Sequence, residues 1–402
     1  MQRVIPLLLT LFALYACAVP HKPEIEKPVP PAEGVEQPAA PPVGEAAPVP
    51  PGAAPGEAIP APPVLPTITP FPHIAVLLPL HSSIFGPAAD VVQQGFMAAI
   101  NPKRLVLPVR VYSDFDENSS VVDVYRQAIA NGARAVVGPL TRIGVSALAA
   151  QPDIPVPTLA LNVVDGQFAP NLYFFGMAVE AEARQVAQLA KQQGMHQAII
   201  ITTGSPLSQR LQSAFEEEWA GQDRGILREI EYDGDTSVFA DITNIADTMV
   251  FLAADAEKAR LIRPYLPNKL PIYGTSQIFA GNDKILTNYD LNGIHFVDMP
   301  WLLQPDHPAV MIYPRPNPPL SADRERLYAL GIDAFRLIQL MVTGRINSAL
   351  PLDGVTGKIQ LNGHNFQHTE LPAVFAQGQA QLGNAPAAPT SQMFPDQATG
   401  TQ

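Results

Sequence analysis

From His73 onward the chain alternates short apolar runs with longer stretches in which apolar residues recur every three or four positions. HIAVLLPL (73–80) is apolar throughout its body, as a strand buried on both faces requires. A Ser/Gly loop (81–90) leads to an amphipathic helical stretch at 91–100. LPVRVYSD (107–114) reads as a second strand, DENSS as a helix-capping cluster and VVDVYRQAIANG (121–132) as the helix it starts. ARAVVGPL (133–140) is a third strand, TRIGVSALAAQ (141–151) a helix and IPVPTLALN (154–162) a fourth strand. The order strand–helix–strand predicts a parallel sheet with right-handed crossovers.

The same pattern then restarts. A helix at 179–194 precedes strand QAIIITT (197–203), loop GSPLS and helix 209–222. Strands follow at 226–233, 248–254 and 270–276, with a helix at 255–267 between the last two. GIHFVDMPW (293–301) leads to a long amphipathic helix at 322–341, and residues 355–378 read as a hairpin turning at Asn362-Gly363. The fold class is α/β, with two lobes of about 100 residues or more, each a parallel sheet flanked by helices.

Before His73 the pattern is different. Arg3 and the amino terminus precede an apolar run, Val4 to Ala16, broken only by Pro6 and Thr10. This run is shorter than the roughly 20 residues a spanning helix needs and has the length of a signal-peptide core. It ends in Leu14-Tyr15-Ala16-Cys17, which resembles a bacterial lipoprotein signal although Tyr15 is bulkier than the usual residue there. That resemblance makes residues 1–16 a signal peptide and Cys17 the lipidated first residue of the mature protein. By resemblance to enterobacterial lipoproteins, Ala18 in place of an aspartate implies the outer membrane and not the inner one; the alternative is an ordinary secretory signal with a chance cysteine. Multiple acyl chains would give stable anchoring.

Residues 18–72 hold 18 of the chain's 44 prolines, and their first aromatic residue is Phe71. Such a segment cannot bury enough apolar surface to fold and is expected to be a disordered tether. As extended polyproline II it would reach at most about 170 Å. Residues 377–402, rich in Gln, Ala and Pro, are expected to be a second disordered segment.

Composition narrows the function. The formal net charge of −12 argues against a nucleic-acid partner. One cysteine can form neither an internal disulfide nor a cysteine-based metal centre. Asp114-x-Asp116-x-Asn118 imitates part of a calcium loop, but Ser119 and Tyr125 stand where glycine and glutamate are needed, so it reads as a helix cap. His364-x3-His368 lies on a hairpin end with no third ligand near in sequence. No GxSxG, Walker or HExxH motif is present, no catalytic constellation is found, and no cofactor is implied. The chain reads as a non-enzyme.

The blocks VYSDFDENSS…GARAVVGPLTRIGVSALA and GVTGKIQLNG resemble type I periplasmic-binding proteins of the Leu/Ile/Val-receptor kind. GIHFVDMPWLLQPDHPAVMIYPRP…ERLYALGIDAFRLIQLM further resembles the C-terminal domain of the LppC/LpoA family, lipoprotein activators of penicillin-binding proteins. Members of that family carry an N-terminal helical-repeat domain, in whose place this chain has the proline-rich segment. The resemblance covers roughly residues 73–376. It implies a first lobe of about 73–176 plus 299–346 and a second of about 177–298 plus 347–376, joined by three crossings that form a hinge.

Several residues then become candidates. Ser82, Ser83, Thr141, Asn162, Thr203, Ser205, Thr275 and Ser276 fall at strand ends, where open α/β sheets bind ligands, and would suit a carboxylate or other small polar ligand. By the receptor resemblance, Ser82, Ser83 and Thr141 match positions that hold a ligand carboxylate. The same residues also suit helix caps and turns. Trp301, with Tyr313 and Arg315, is either a buried hinge plug or an exposed partner contact, since Trp, Tyr and Arg dominate binding hot spots. The family resemblance implies a partner, a class A penicillin-binding protein, and a role in peptidoglycan synthesis. The alternative is a lipid-anchored periplasmic receptor for an amino acid or peptide.

Overall fold

The computed structural model describes residues 70–101, 106–113, 120–221 and 224–383. The signal segment, Cys17, the proline-rich segment up to residue 69, Asp114-x-Asp116-x-Asn118 and residues 384–402 lie outside the described residues.

The first lobe begins with strands β1 (His73–Leu77), β2 (Val109–Tyr112), β3 (Ala133–Val137), β4 (Thr158–Ala160) and β5 (Leu172–Phe174). Helices α1 (Gly86–Ala98), α2 (Val121–Ala130) and α3 (Arg142–Ala149) connect the first four. The chain crosses to the second lobe as α4 (Val179–Gln192), β6 (Gln197–Thr202), α5 (Pro206–Trp219), β7 (Gly225–Glu231), β8 (Thr248–Leu252), α6 (Ala256–Ile262), β9 (Ile272–Tyr273), α7 (Ile285–Asn288) and β10 (Ile294–Asp298). It returns through the short helices α8 (Pro300–Leu303) and α9 (Pro308–Met311), the long α10 (Ala322–Val342) and α11 (Ile346–Ala349). Strands β11 (Leu352–Asp353), β12 (Lys358–Asn362), β13 (Asn365–Thr369), β14 (Leu371–Ala376) and β15 (Gln379–Leu382) finish the described chain.

Each lobe repeats one topology. The parallel strands run β2-β1-β3-β4-β5 in the first sheet and β7-β6-β8-β9-β10 in the second, the doubly wound order 2-1-3-4-5. Both faces of each sheet are covered. Ile74 and Val76 of β1 face α1 and α10, whereas Ala75 and Leu77 face α2 and α3. In the second lobe Ala198 and Ile200 of β6 pack towards α4 and α5, and Ile199 and Ile201 towards α6. This is why these strands read as continuous apolar runs.

Three expectations change. β12 and β13 form the hairpin, but its two loop residues are Gly363 and His364, and Asn362 pairs with Asn365. That hairpin, with β11, extends the first sheet through a parallel bridge between Asn365 and Phe174, so residues 352–369 belong to the first lobe and not the second. Of these late strands only β14 and β15 join the second sheet, β14 antiparallel to β10 and β15 antiparallel to β14. β15 also lies inside the segment expected to be disordered. Its turn is closed by Gln377 and Gly378, both at positive φ (53° and 74°), as a two-residue hairpin loop demands.

α1 and α10 cross backbone to backbone. A Cβ on Gly95 would fall 1.9 Å from the Tyr328 carbonyl oxygen, and one on Gly331 would fall 2.1 Å from that of Val92. Alanine at 331 would gain about 1 kcal/mol of helix propensity. It would nonetheless force the two helices apart, so Gly331→Ala should destabilise the protein by about 1–3 kcal/mol net in urea titrations. A stabilised variant would show that the close approach is not a constraint.

Candidate functional site: the cleft and the lobe junction

The loops at the carboxyl ends of the strands carry the candidate hydroxyls, and most of these already have partners. Ser82 Oγ accepts the amides of Ile84 (3.3 Å) and Phe85 (3.0 Å), closing the turn into α1, while Ser83 is exposed. Thr141 caps α3 by accepting the Gly144 amide at 3.1 Å. Asn162 ties two loops together, donating to the Leu140 carbonyl at 3.1 Å and accepting the Val163 amide at 2.9 Å. Ser205 caps α5 through the Ser208 amide at 3.1 Å, and its Oγ lies 3.2 Å from that of Thr203. Thr275 and Ser276 are fully buried. Ser82, Thr141, Asn162 and Ser205 are thus engaged as caps and turns, whereas Thr275 Oγ1 is buried without a partner.

A polar hollow of about 380 Å³ lies elsewhere, between the loops after β4 and β5, the first turns of α4, and β13. Asp165, Arg184, Gln185, Gln188, Gln367 and His368 line it, and none of the candidate hydroxyls does. His364 and His368 do not converge. His364 Nδ1 lies 2.6 Å from the Leu172 carbonyl, and His368 Nε2 lies 3.6 Å from Glu370. Among the described residues no three His, Cys, Asp or Glu side chains come close enough to hold a metal ion.

The structure's own focus is a buried ionic node where the lobes meet. Arg326, on α10 of the first lobe, sends Nε and Nη2 to the two carboxylate oxygens of Asp298 at the end of β10 (3.1 and 2.7 Å). Nη2 also donates to the carbonyls of Ser276 (3.0 Å) and Phe279 (2.9 Å) in the second lobe, and Nη1 to Asp323 (2.7 Å). Burial works against its charge, but Asp298 beside it holds the guanidinium firmly protonated. Around this pair sit two further buried carboxyls. Glu182 on α4 accepts the Ser276 amide at 2.9 Å. Glu370 lies at the last crossing, where Gln185 brackets its backbone with one hydrogen bond given (2.7 Å) and one accepted (3.0 Å). Burial first, and mutual repulsion second, push Glu182 up to about 8, and burial with the nearby Asp298 carboxylate raises Glu370 well above the usual range. Burial also pushes His368 down, keeping it neutral.

Trp301 is fully buried, which corrects the partner-contact reading for that residue. Its backbone amide donates to the Val355 carbonyl at 2.9 Å, its indole N–H donates to Glu325, and the Arg315 guanidinium stacks 3.8 Å above its ring. It plugs the hinge. Tyr313 is half-buried and Arg315 remains exposed.

The ionic node was not foreseen. Its signal is present in the apolar stripe of α10: Arg326, Leu330, Asp333 and Leu337 recur at helical spacing, and all four are buried. A charge on such a stripe must be paired. Asp333 shows the same rule, accepting the Thr356 amide and hydroxyl (both 2.8 Å) and Arg336 Nη1 (2.9 Å).

The paired 2-1-3-4-5 sheets, linked by crossings and flanked by helices, define a two-lobe periplasmic-binding-protein-like fold of type I. A structure from Chromobacterium violaceum, named "putative branched-chain amino acid ABC transporter", is 39% identical, with a TM-score of 0.66, and is matched over 75% of this chain and 99% of that one. The "LpoA (YraM) C-domain from Haemophilus influenzae, a regulator of PBP1A" is 25% identical, with a TM-score of 0.65, over 77% of this chain and 99% of that one. The sequence matches the family described as "LppC putative lipoprotein" over residues 65–247 and 240–370, and the chain belongs to that family. Its curated relatives include the penicillin-binding protein activators LpoA of Haemophilus influenzae (28% identical, 71% of this chain and 50% of the relative) and of Vibrio antiquarius (26%, 74% and 56%). The chain thus spans about half the length of the curated relatives it matches. These relatives are named as activators, not as catalysts.

The raised Glu182 has a measurable consequence. A carboxyl whose folded pKa lies above its unfolded value binds more protons folded than unfolded, so stability falls as pH rises from about 4.5 to about 8. Glu182→Gln keeps the acceptor for Ser276 and removes the titration. It should match the parent near pH 5 and exceed it by about 1–3 kcal/mol near pH 8.5 in urea titrations. Parallel pH profiles for the two proteins would refute the assignment.

Proposed function

We propose that this protein is a lipoprotein anchored through Cys17 to the periplasmic face of the outer membrane. In this reading it binds and activates a class A penicillin-binding protein and so regulates peptidoglycan synthesis. The observation that carries the proposal is the match over nearly all of the LpoA C-domain, a structure named as a regulator of PBP1A, within a family described as lipoprotein. Two features of the site support it. Ser82, Thr141 and Ser205 are engaged in caps and turns, and Arg326 joins the two lobes directly. A protein of this design acts through its surface. Docking would shift the synthase towards its active state by binding that state more tightly.

The proline-rich segment at 18–72 would set the reach from the anchoring membrane to the synthase. A receptor for an amino acid or peptide is the second reading, favoured by the 39% identity to the Chromobacterium violaceum protein.

Three measurements separate these readings. Adding the purified chain to a purified class A synthase should raise glycan polymerisation or peptide cross-linking, roughly fivefold for a coupling of about 1 kcal/mol. No binding and no change in either activity would refute the activator reading. A melting-temperature screen with amino acids and muropeptides should be flat, whereas a clear rise with one of them would favour the receptor. Deleting half of residues 18–72 should lower function in cells and leave binding by the purified protein unchanged. Unaltered cellular function would remove any role for reach.

A further inference from the structure

A groove of about 620 Å³ lies on the first lobe, between the C-terminal halves of α1 and α10 and the segment that follows α9. Ile100, Phe335 and Leu340 give it apolar walls, and Ile312 stands at its rim with 69% of its surface exposed. Met311, next in the chain, is 66% exposed. Together they extend the groove's apolar surface outwards.

The polar lining is one-sided. Arg336, Gln339 and Arg345 contribute to it, and no carboxylate does, in a chain with 37 acidic and 25 basic residues. Arg336 is held in place by Asp333 (2.9 Å) and the Asp353 carbonyl (2.8 Å). The Arg345 guanidinium is exposed and has no protein partner among the described residues. Gln339 Nε2 is buried and also lacks an acceptor. A buried donor without an acceptor, as at Gln339, is unfavourable, and the exposed Arg345 beside it favours an anionic guest. The groove therefore offers apolar walls and unmet donors together.

We propose that this groove is where the synthase docks, and that the docked element is a short peptide segment presenting an apolar side chain with a carboxylate beside it. The proposal rests on the activator reading and adds the face and the chemistry of the contact. Tyr313 lines the same groove, so one member of the expected Trp301, Tyr313 and Arg315 trio keeps a role at a contact surface.

The test uses the full-length chain and a purified class A synthase, with binding measured by calorimetry. Arg345→Glu and Ile312→Asp should each weaken binding at least about tenfold without lowering the melting temperature, since both positions are at the surface. Arg345→Lys should retain part of the affinity. Leu286→Asp, at a site 86% exposed on the second lobe, should bind like the parent. A photo-crosslinker at position 312 should capture the synthase and one at position 286 should not, a readout that does not depend on the substitutions. If the parent binds and the groove variants bind equally well, the site is wrong while the activator reading stands. If the parent does not bind, both fail. A change in self-association with synthase binding retained would assign the groove to a second copy of this chain and overturn the proposal.

Discussion

Four hydrogen bonds from one guanidinium tie the two lobes together. Arg326 reaches from a helix of the first lobe to a carboxylate and two carbonyls of the second, all in a region closed to water. Removing the side chain would leave Asp298 as an unpaired buried anion between Glu182 and Glu370, among the most unfavourable changes a core can undergo. The node therefore constrains everything around it. Burial and the neighbouring carboxyls push Glu182 up, and Gln185 brackets the Glu370 backbone at the last crossing. In a binding protein whose lobes close on a ligand, such a region would have to shear. Here the same loop that would face a ligand, at Ser276, is fastened on its carbonyl side by Arg326 and on its amide side by Glu182.

The fold was legible wherever burial is two-sided. HIAVLLPL, QAIIITT and TMVFLAA could be only core strands, and their order gave the doubly wound sheets. Short or late elements were not legible. β5 has three residues and no flanking periodicity, and β15 carries two glutamines in a region whose composition resembles a tail. The hairpin at 358–369 was recognisable as a hairpin, yet its lobe is decided by a pairing to Phe174, almost two hundred positions away, which local pattern does not encode.

The site was legible only in part. Strand-end hydroxyls were correctly placed at strand ends, but whether a serine caps a helix or waits for a ligand depends on the neighbouring amides. Ser82 and Ser205 face such amides. Trp301 was singled out for its rarity, and burial decided between its two readings. The charges on the apolar stripe of α10 were the stronger signal, because a buried arginine needs partners that only the assembled lobes supply.

The threading of the chain sets the order in which the protein can mature. α10 covers one face of the first sheet from more than two hundred residues beyond α1, β11–β13 extend that sheet later still, and β14–β15 complete the second. Neither lobe is a self-sufficient early unit. Until α10 emerges, the growing polypeptide carries one open apolar face of the first sheet, and contacts this distant in sequence form slowly. Biogenesis is thus back-loaded. A proteolytic cut ahead of α10 would bare that face, so maturation of the first lobe waits on a segment made after the second lobe's parallel strands.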